Sequence, residues 1–193
     1  MLRAQDVLNF WFLAPNDPLF GAQRAAWFRK DEAFDAAITE RFAPLIEQAV
    51  AGGLREWDQL GPTGALARIL VLDQFTRNAY RGTPASFAGD TLALAAARQL
   101  ADSGDDQDLL PVQRSFAYMP FEHAEDPAMQ ERAVTLFTQL AALHPDYEGM
   151  LDYAHRHRGV IARFGRFPHR NAILGRASTP EEIDYLALPG SGF

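Results

Sequence analysis

Between Gly61 and Arg77 the chain carries Leu66, Ile69, Leu70, Val71, Leu72 and Phe75 behind a Gly-Pro-Thr start. The spacing predicts a helix with almost no polar face. A helix that is apolar all round needs packed neighbours on every side. The segment therefore has to be the buried centre of the molecule, with Asp73 and Gln74 in or beside the core.

The elements that cover it are also predicted to be helices. The chain has 32 Ala and 22 Leu against 6 Val and 6 Ile, a balance that favours helix over strand. No period-two run and no Asn-Gly or Asp-Gly hairpin signal is present. A first helix is expected over Gln5 to Leu13, ending before Pro15. Trp27 and Phe28 lead into a second, whose stripe of Phe34, Ile38, Phe42, Leu45, Ile46 and Ala49 keeps three- and four-residue spacing up to Gly52-Gly53. Others are expected over Asp90 to Ser103, from Pro111, from Pro127 and over Tyr147 to Phe164. Thr179-Pro180-Glu181-Glu182 combines an N-cap, a first-turn proline and a capping-box acid, and starts a last helix through Leu186. The connections are short, so successive helices should form antiparallel hairpins. A length of 193 residues fits one helical domain over 1–193.

Composition narrows the chemistry. Without cysteine there is neither disulfide nor thiolate chemistry. A net charge of −7 argues against nucleic acid as a partner. No apolar stretch approaches the roughly 18 residues of a membrane span, and Asp6 and Asn9 interrupt the first apolar run, which makes a poor secretory signal. These features read as a cytoplasmic protein. Phosphate loop, dinucleotide fingerprint and nucleophile elbow are all missing, so no cofactor is expected.

Three segments hold unusual polar residues. In the first, Asp73 and Arg77 stand four apart and can pair on one helix face. Arg77 and Arg81 either face an anion or satisfy carbonyls at the helix end. In the second, Glu122, Glu125 and Asp126 flank His123. A carboxylate beside an imidazole orients it for proton transfer, whereas Asp126, directly before Pro127, has the position of an N-cap. The third is Arg163-Phe164-Gly165-Arg166-Phe167-Pro168-His169-Arg170-Asn171. Residues 151–176 carry six Arg and one acid, a local +5 inside a negative chain. Gly165 suits the left-handed position after the long helix, Phe167 can close a hydrophobic contact, Pro168 stops the helix, and Asn171 can cap a short turn. That leaves Arg163, Arg166, Arg170 and His169 packed among aromatic residues, and clustered arginines need anionic partners. His155 and His157, two apart on a helix, cannot share a face. No metal is expected, because His123, Glu125 and Asp126 lie too close in sequence to complete a coordination sphere alone.

These runs, together with the Phe10-Trp11-Phe12 start and the Ser178-to-Glu182 end, resemble the bacterial family called domain of unknown function 924 over nearly the whole chain. The resemblance implies an all-α fold of eight to nine helices, like a right-handed array of tetratricopeptide-type hairpins, and implies no activity. His157 matches the histidine that the family places ahead of its Arg-Phe-Gly run. Phe121-Glu122 departs from the family pattern, which ranks Glu122 lowest among the candidates.

Two readings follow. In the first, Arg77, Arg81, Arg163, Arg166, Arg170 and Asn171 hold a phosphorylated or carboxylated small molecule. His123, Glu125 and His169 transfer protons for hydrolysis or isomerisation, and Asp73, Asp126 and His157 support them. In the second, stacked hairpins present a groove to an acidic peptide. A pocket in which histidines and arginines converge favours the first reading, and an open groove with scattered motifs favours the second. Oligomeric state is left open by the sequence.

Overall fold

The computed structural model describes residues 2–192 and is helical throughout, with no strand among the described residues. The helices are α1 (Ala4–Phe12), α2 (Glu32–Val50), α3 (Pro62–Leu70), α4 (Thr76–Ala79), α5 (Asp90–Ser103), α6 (Pro111–Glu122), α7 (Pro127–Ala141), α8 (Glu148–Phe164) and α9 (Pro180–Leu186). Short 3₁₀ turns join many of them. The all-α expectation and the expected helix count are met. Among the described residues no helix is long and apolar enough to cross a membrane.

The central rod is α3, a π-helical turn over Val71–Phe75, and α4 in succession. Every residue from Gly64 to Thr76 is buried. Helix α3 packs against α1, α5 and α6, while α2 covers the π turn and α4. Helices α6, α7 and α8 then pack in sequence order as the short connections predict. The π turn is a departure from the sequence expectation of a plain α-helix. A π turn widens the helix and loosens its carbonyls. Side chains take them up: the Thr76 hydroxyl donates to Leu72 O at 2.8 Å, and an Arg77 guanidinium nitrogen donates to Asp73 O at 2.7 Å.

Gly89 fixes how α5 meets this turn. A Cβ at Gly89 would lie 2.1 Å from the Leu72 carbonyl oxygen. Only a glycine permits that approach, and it sets Asp90, the first residue of α5, beside Arg77.

The core is strongly aromatic. Trp11 stacks on Trp27 at 6.0 Å, Phe42 meets Phe75 at 4.8 Å, and Trp27 stands edge-on to Phe116 at 4.8 Å. A smaller cluster of Val160, Ile161 and Phe167 lies under Phe164 and Tyr185.

Helix ends follow their sequence signals with a few corrections. Asp31 caps α2 through the N–H groups of Ala33 and Phe34, so α2 starts at Glu32 and Trp27 stays in a 3₁₀ turn. Asp126 caps α7 and Thr179 closes the capping box of α9. Gly165 ends α8 with φ of 69°, in the left-handed region expected of it. Asn171 caps no helix. The chain after it forms hydrogen-bonded turns, and its side chain is drawn to Arg176, Ser178 and Glu182 instead.

Candidate functional site

A cleft of about 700 Å³ opens where the central rod, the end of α6, α8 and the loop after α8 meet. That volume is in the range of small-molecule sites. His123, His157, His169, Arg77, Arg81 and Arg170 all line it.

Asp73 does not line the cleft itself but holds three residues that do, Gln74, Arg77 and His123. The carboxylate is fully buried, 2.9 Å from Arg77 and 2.8 Å from His123 Nδ1, and it accepts from Gln74 at 2.6 Å. Burial opposes its charge, but Arg77 and His123 outweigh burial and keep Asp73 ionised. An ionised carboxylate only accepts, so the proton on His123 sits on Nδ1 and the neutral ring offers Nε2 as a lone pair. Burial, then the nearby Arg77 charge, lowers the His123 pKa, which keeps the ring neutral at pH 7. Its side chain is still 17% exposed, at the cleft. Because His123 is the C-cap of α6, its place follows from that helix running on through Pro120.

A second carboxylate–imidazole couple lies alongside. His157 Nδ1 is 2.8 Å from Glu122 and 2.9 Å from Tyr153 O, two acceptors, so this nitrogen also carries a proton. The His123 and His157 rings are 6.2 Å apart. Glu122, which sequence reasoning ranks lowest, is therefore buried at the cleft wall. His155 is exposed on the same helix.

Arg170 completes the floor. It lies between the rings of Phe87 and Phe167, at 4.7 and 4.6 Å, with 8% of its side chain exposed. It donates to Asp90 at 3.2 Å and to His123 O at 3.0 Å, while its Nε is buried without a hydrogen-bond partner. Asp90 also pairs with Arg77 at 2.9 Å. Burial first, and then Arg77, lowers the Arg170 pKa to about 10. Burial first, and then the Arg170 charge, lower the His169 pKa to about 4. At the rim, Arg81 forms a two-pronged pair with Asp35, which also accepts from Asn78.

With this geometry in view, the family pattern described as "Bacterial protein of unknown function (DUF924)" matches residues 7–190. The chain belongs to this family. A solved structure, that of a protein of unknown function from Agrobacterium tumefaciens, is similar as well. It is 42% identical, the match covers 95% of this chain and 96% of that one, and the TM-score is 0.81.

In this DUF924 protein the arginine-rich motif divides into two parts. His169 and Arg170 face the cleft from the 3₁₀ turn Pro168–Arg170. Arg163 and Arg166 instead pair with Glu181 and Glu182 of α9, at 2.9 and 2.7 Å. Asn171 is buried and donates to Ser178 and Glu182. Glu125 accepts two bonds from Arg176, at 2.7 and 2.9 Å, and one from Phe167 N–H at 2.7 Å. Arg176 and that N–H hold its pKa below the ordinary carboxylate range against burial. Within the three segments singled out by sequence, the acids that pair with an arginine are Asp73 and Glu125. The folded chain supplies Asp35, Asp90, Glu181 and Glu182 as well, from α2, α5 and α9. No local sequence signal marks these partners, because each pairing joins distant parts of the chain.

Proposed function

We propose that the cleft binds a small phosphorylated or carboxylated molecule and that His123 is its proton-transfer group. The observation that carries this reading is the convergence of His123, His169 and Arg170 in one cavity of about 700 Å³. Asp73 holds His123 in the Nδ1–H tautomer, so Nε2 is the basic atom. When Nε2 takes a proton from water or from substrate, Asp73 balances the imidazolium. The same proton then returns to a leaving group in hydrolysis, or to a second carbon or oxygen in isomerisation.

Arg170 supports the anion assignment. It is buried, its Nε has no hydrogen-bond partner, and it shares Asp90 with Arg77. Burial and Arg77 lower its pKa although Asp90, Glu125 and Asp73 oppose that. An anion in the cleft would stabilise its charge. Arg77 and Arg81 line the same wall. Glu125, Asp126, Arg163, Arg166 and Asn171 serve in this reading to hold the loop and helix ends, and Glu125 fixes the turn that carries His169 and Arg170.

The test is a panel of phosphorylated and carboxylated metabolites, screened by thermal shift and then for turnover. A hit should stabilise wild type and His123→Asn alike, and His123→Asn should lose turnover. Arg170→Lys should lose the stabilisation. If no member of the panel shifts the melting temperature, the reading fails.

A further inference from the structure

The mouth of the cleft differs in kind from its floor. Phe28 is 56% exposed and Tyr153 is 49% exposed, and both line the opening. Arg29 and Lys30 beside Phe28 are exposed too, and Arg81 faces the same opening. Scattered exposed aromatic residues mean little, but two lining one concave site are a ligand-facing surface. Trp27, Met119 and Ile173 supply apolar wall within the cleft.

Size gives a second, independent argument. A water molecule occupies about 30 Å³ of liquid, and an inorganic anion takes the room of a few waters. A 700 Å³ cleft is filled by neither. The cleft therefore has room for an anion attached to something larger, and its mouth offers that part aromatic rings. Planar rings gain from offset or edge-on contact with other rings in a way that flexible chains do not.

Resting on the small-molecule reading above, we propose that the occupant is a planar aromatic anion of the aryl phosphate or aryl carboxylate class. Its anionic group lies toward Arg170 and His123, and its ring lies against Phe28 and Tyr153. Arg29, exposed beside Phe28, adds positive charge at the rim, whereas Arg81 is already paired with Asp35, so any attraction of the anion there weakens with salt.

The experiment is calorimetric titration with 1-naphthyl phosphate, inorganic phosphate and 1-naphthol. Wild type and the double variant Phe28→Ala with Tyr153→Ala are compared. Both residues are exposed, so the variant should fold, which circular dichroism checks. Naphthyl phosphate is expected to bind about tenfold tighter than phosphate, the gain that one or two ring contacts supply. The double variant should lose that gain and keep its phosphate affinity. Equal affinity for the two phosphates overturns the aromatic inference and leaves the anion reading standing, as does a gain that survives in the double variant. Naphthol binding as tightly as naphthyl phosphate overturns the anionic half of both proposals. If none of the three binds, the aromatic inference falls, and the anion reading is decided separately by the metabolite panel.

Discussion

Asp73→Asn is the perturbation that reaches furthest into the molecule. The carboxylate is fully buried and meets Arg77, His123 and Gln74. Removing one member of a buried ion pair costs about 3–5 kcal/mol, because the other charge stays buried without it. Here Arg77 keeps Asp90 at 2.9 Å, and the Asn oxygen can still accept from His123. Both place the cost at the low end, about 3 kcal/mol. For a chain of this size that corresponds to a fall in melting temperature of about 6–12 °C. Urea unfolding of wild type and variant, with unchanged dependence on denaturant, measures it. Asp152→Asn is the control: its pair with Arg156 is exposed, and a loss within about 0.5 kcal/mol is expected there. If Asp73→Asn costs less than about 1 kcal/mol, the buried charge cluster is not what organises the floor of the cleft.

The remaining predictions concern the core, the π turn and acid stability. Leu70→Ala should cost roughly 2–5 kcal/mol in urea unfolding, since Leu70 is fully buried in the central rod; a loss below about 1 kcal/mol would show that the core lies elsewhere. Gly89→Ala should destabilise by about 1–3 kcal/mol or more, because the added methyl meets the Leu72 carbonyl at 2.1 Å; an unchanged melting temperature would contradict that approach. His169 is lowered to about 4 and His123 is also lowered, so the unfolded chain binds protons near pH 6.5 that the folded chain refuses. Their contribution to stability is present above pH 6.5 and drains away as the pH falls toward 4. Melting temperatures between pH 7.5 and 4.5 should trace that loss, and His169→Asn should flatten it; a wild-type profile with no slope there would refute the burial of these rings.

The helices were legible because their signals are local. Gly61-Pro62, Asp126-Pro127 and the Thr179 capping box each act over a few residues, and Gly165 ends α8 as its type suggests. The π turn was not legible, since Val71 to Phe75 carry the same apolar pattern as the α-helix before them. It forms in a rod whose neighbours are set by distant segments, including the glycine contact from α5. The site was legible in part. His123, His169, Arg77, Arg81 and Arg170 stand out as unusual residue types, and the fold brings them to one cleft. Glu122 was undervalued because its role depends on His157 reaching it from α8. Asp35, Asp90, Glu181 and Glu182 look like ordinary helix-start acids until the fold brings an arginine to each. Phe28 at the mouth was equally hidden, since in sequence it only precedes a helix.

The central claim is that His123 and Arg170 face an anion in one cleft. A crystal structure of the protein grown with 1-naphthyl phosphate tests it most directly. An ordered phosphate is expected within hydrogen-bond distance of Arg170 or of His123 Nε2, with the ring against Phe28 and Tyr153. A cleft that holds only water at saturating ligand would contradict it.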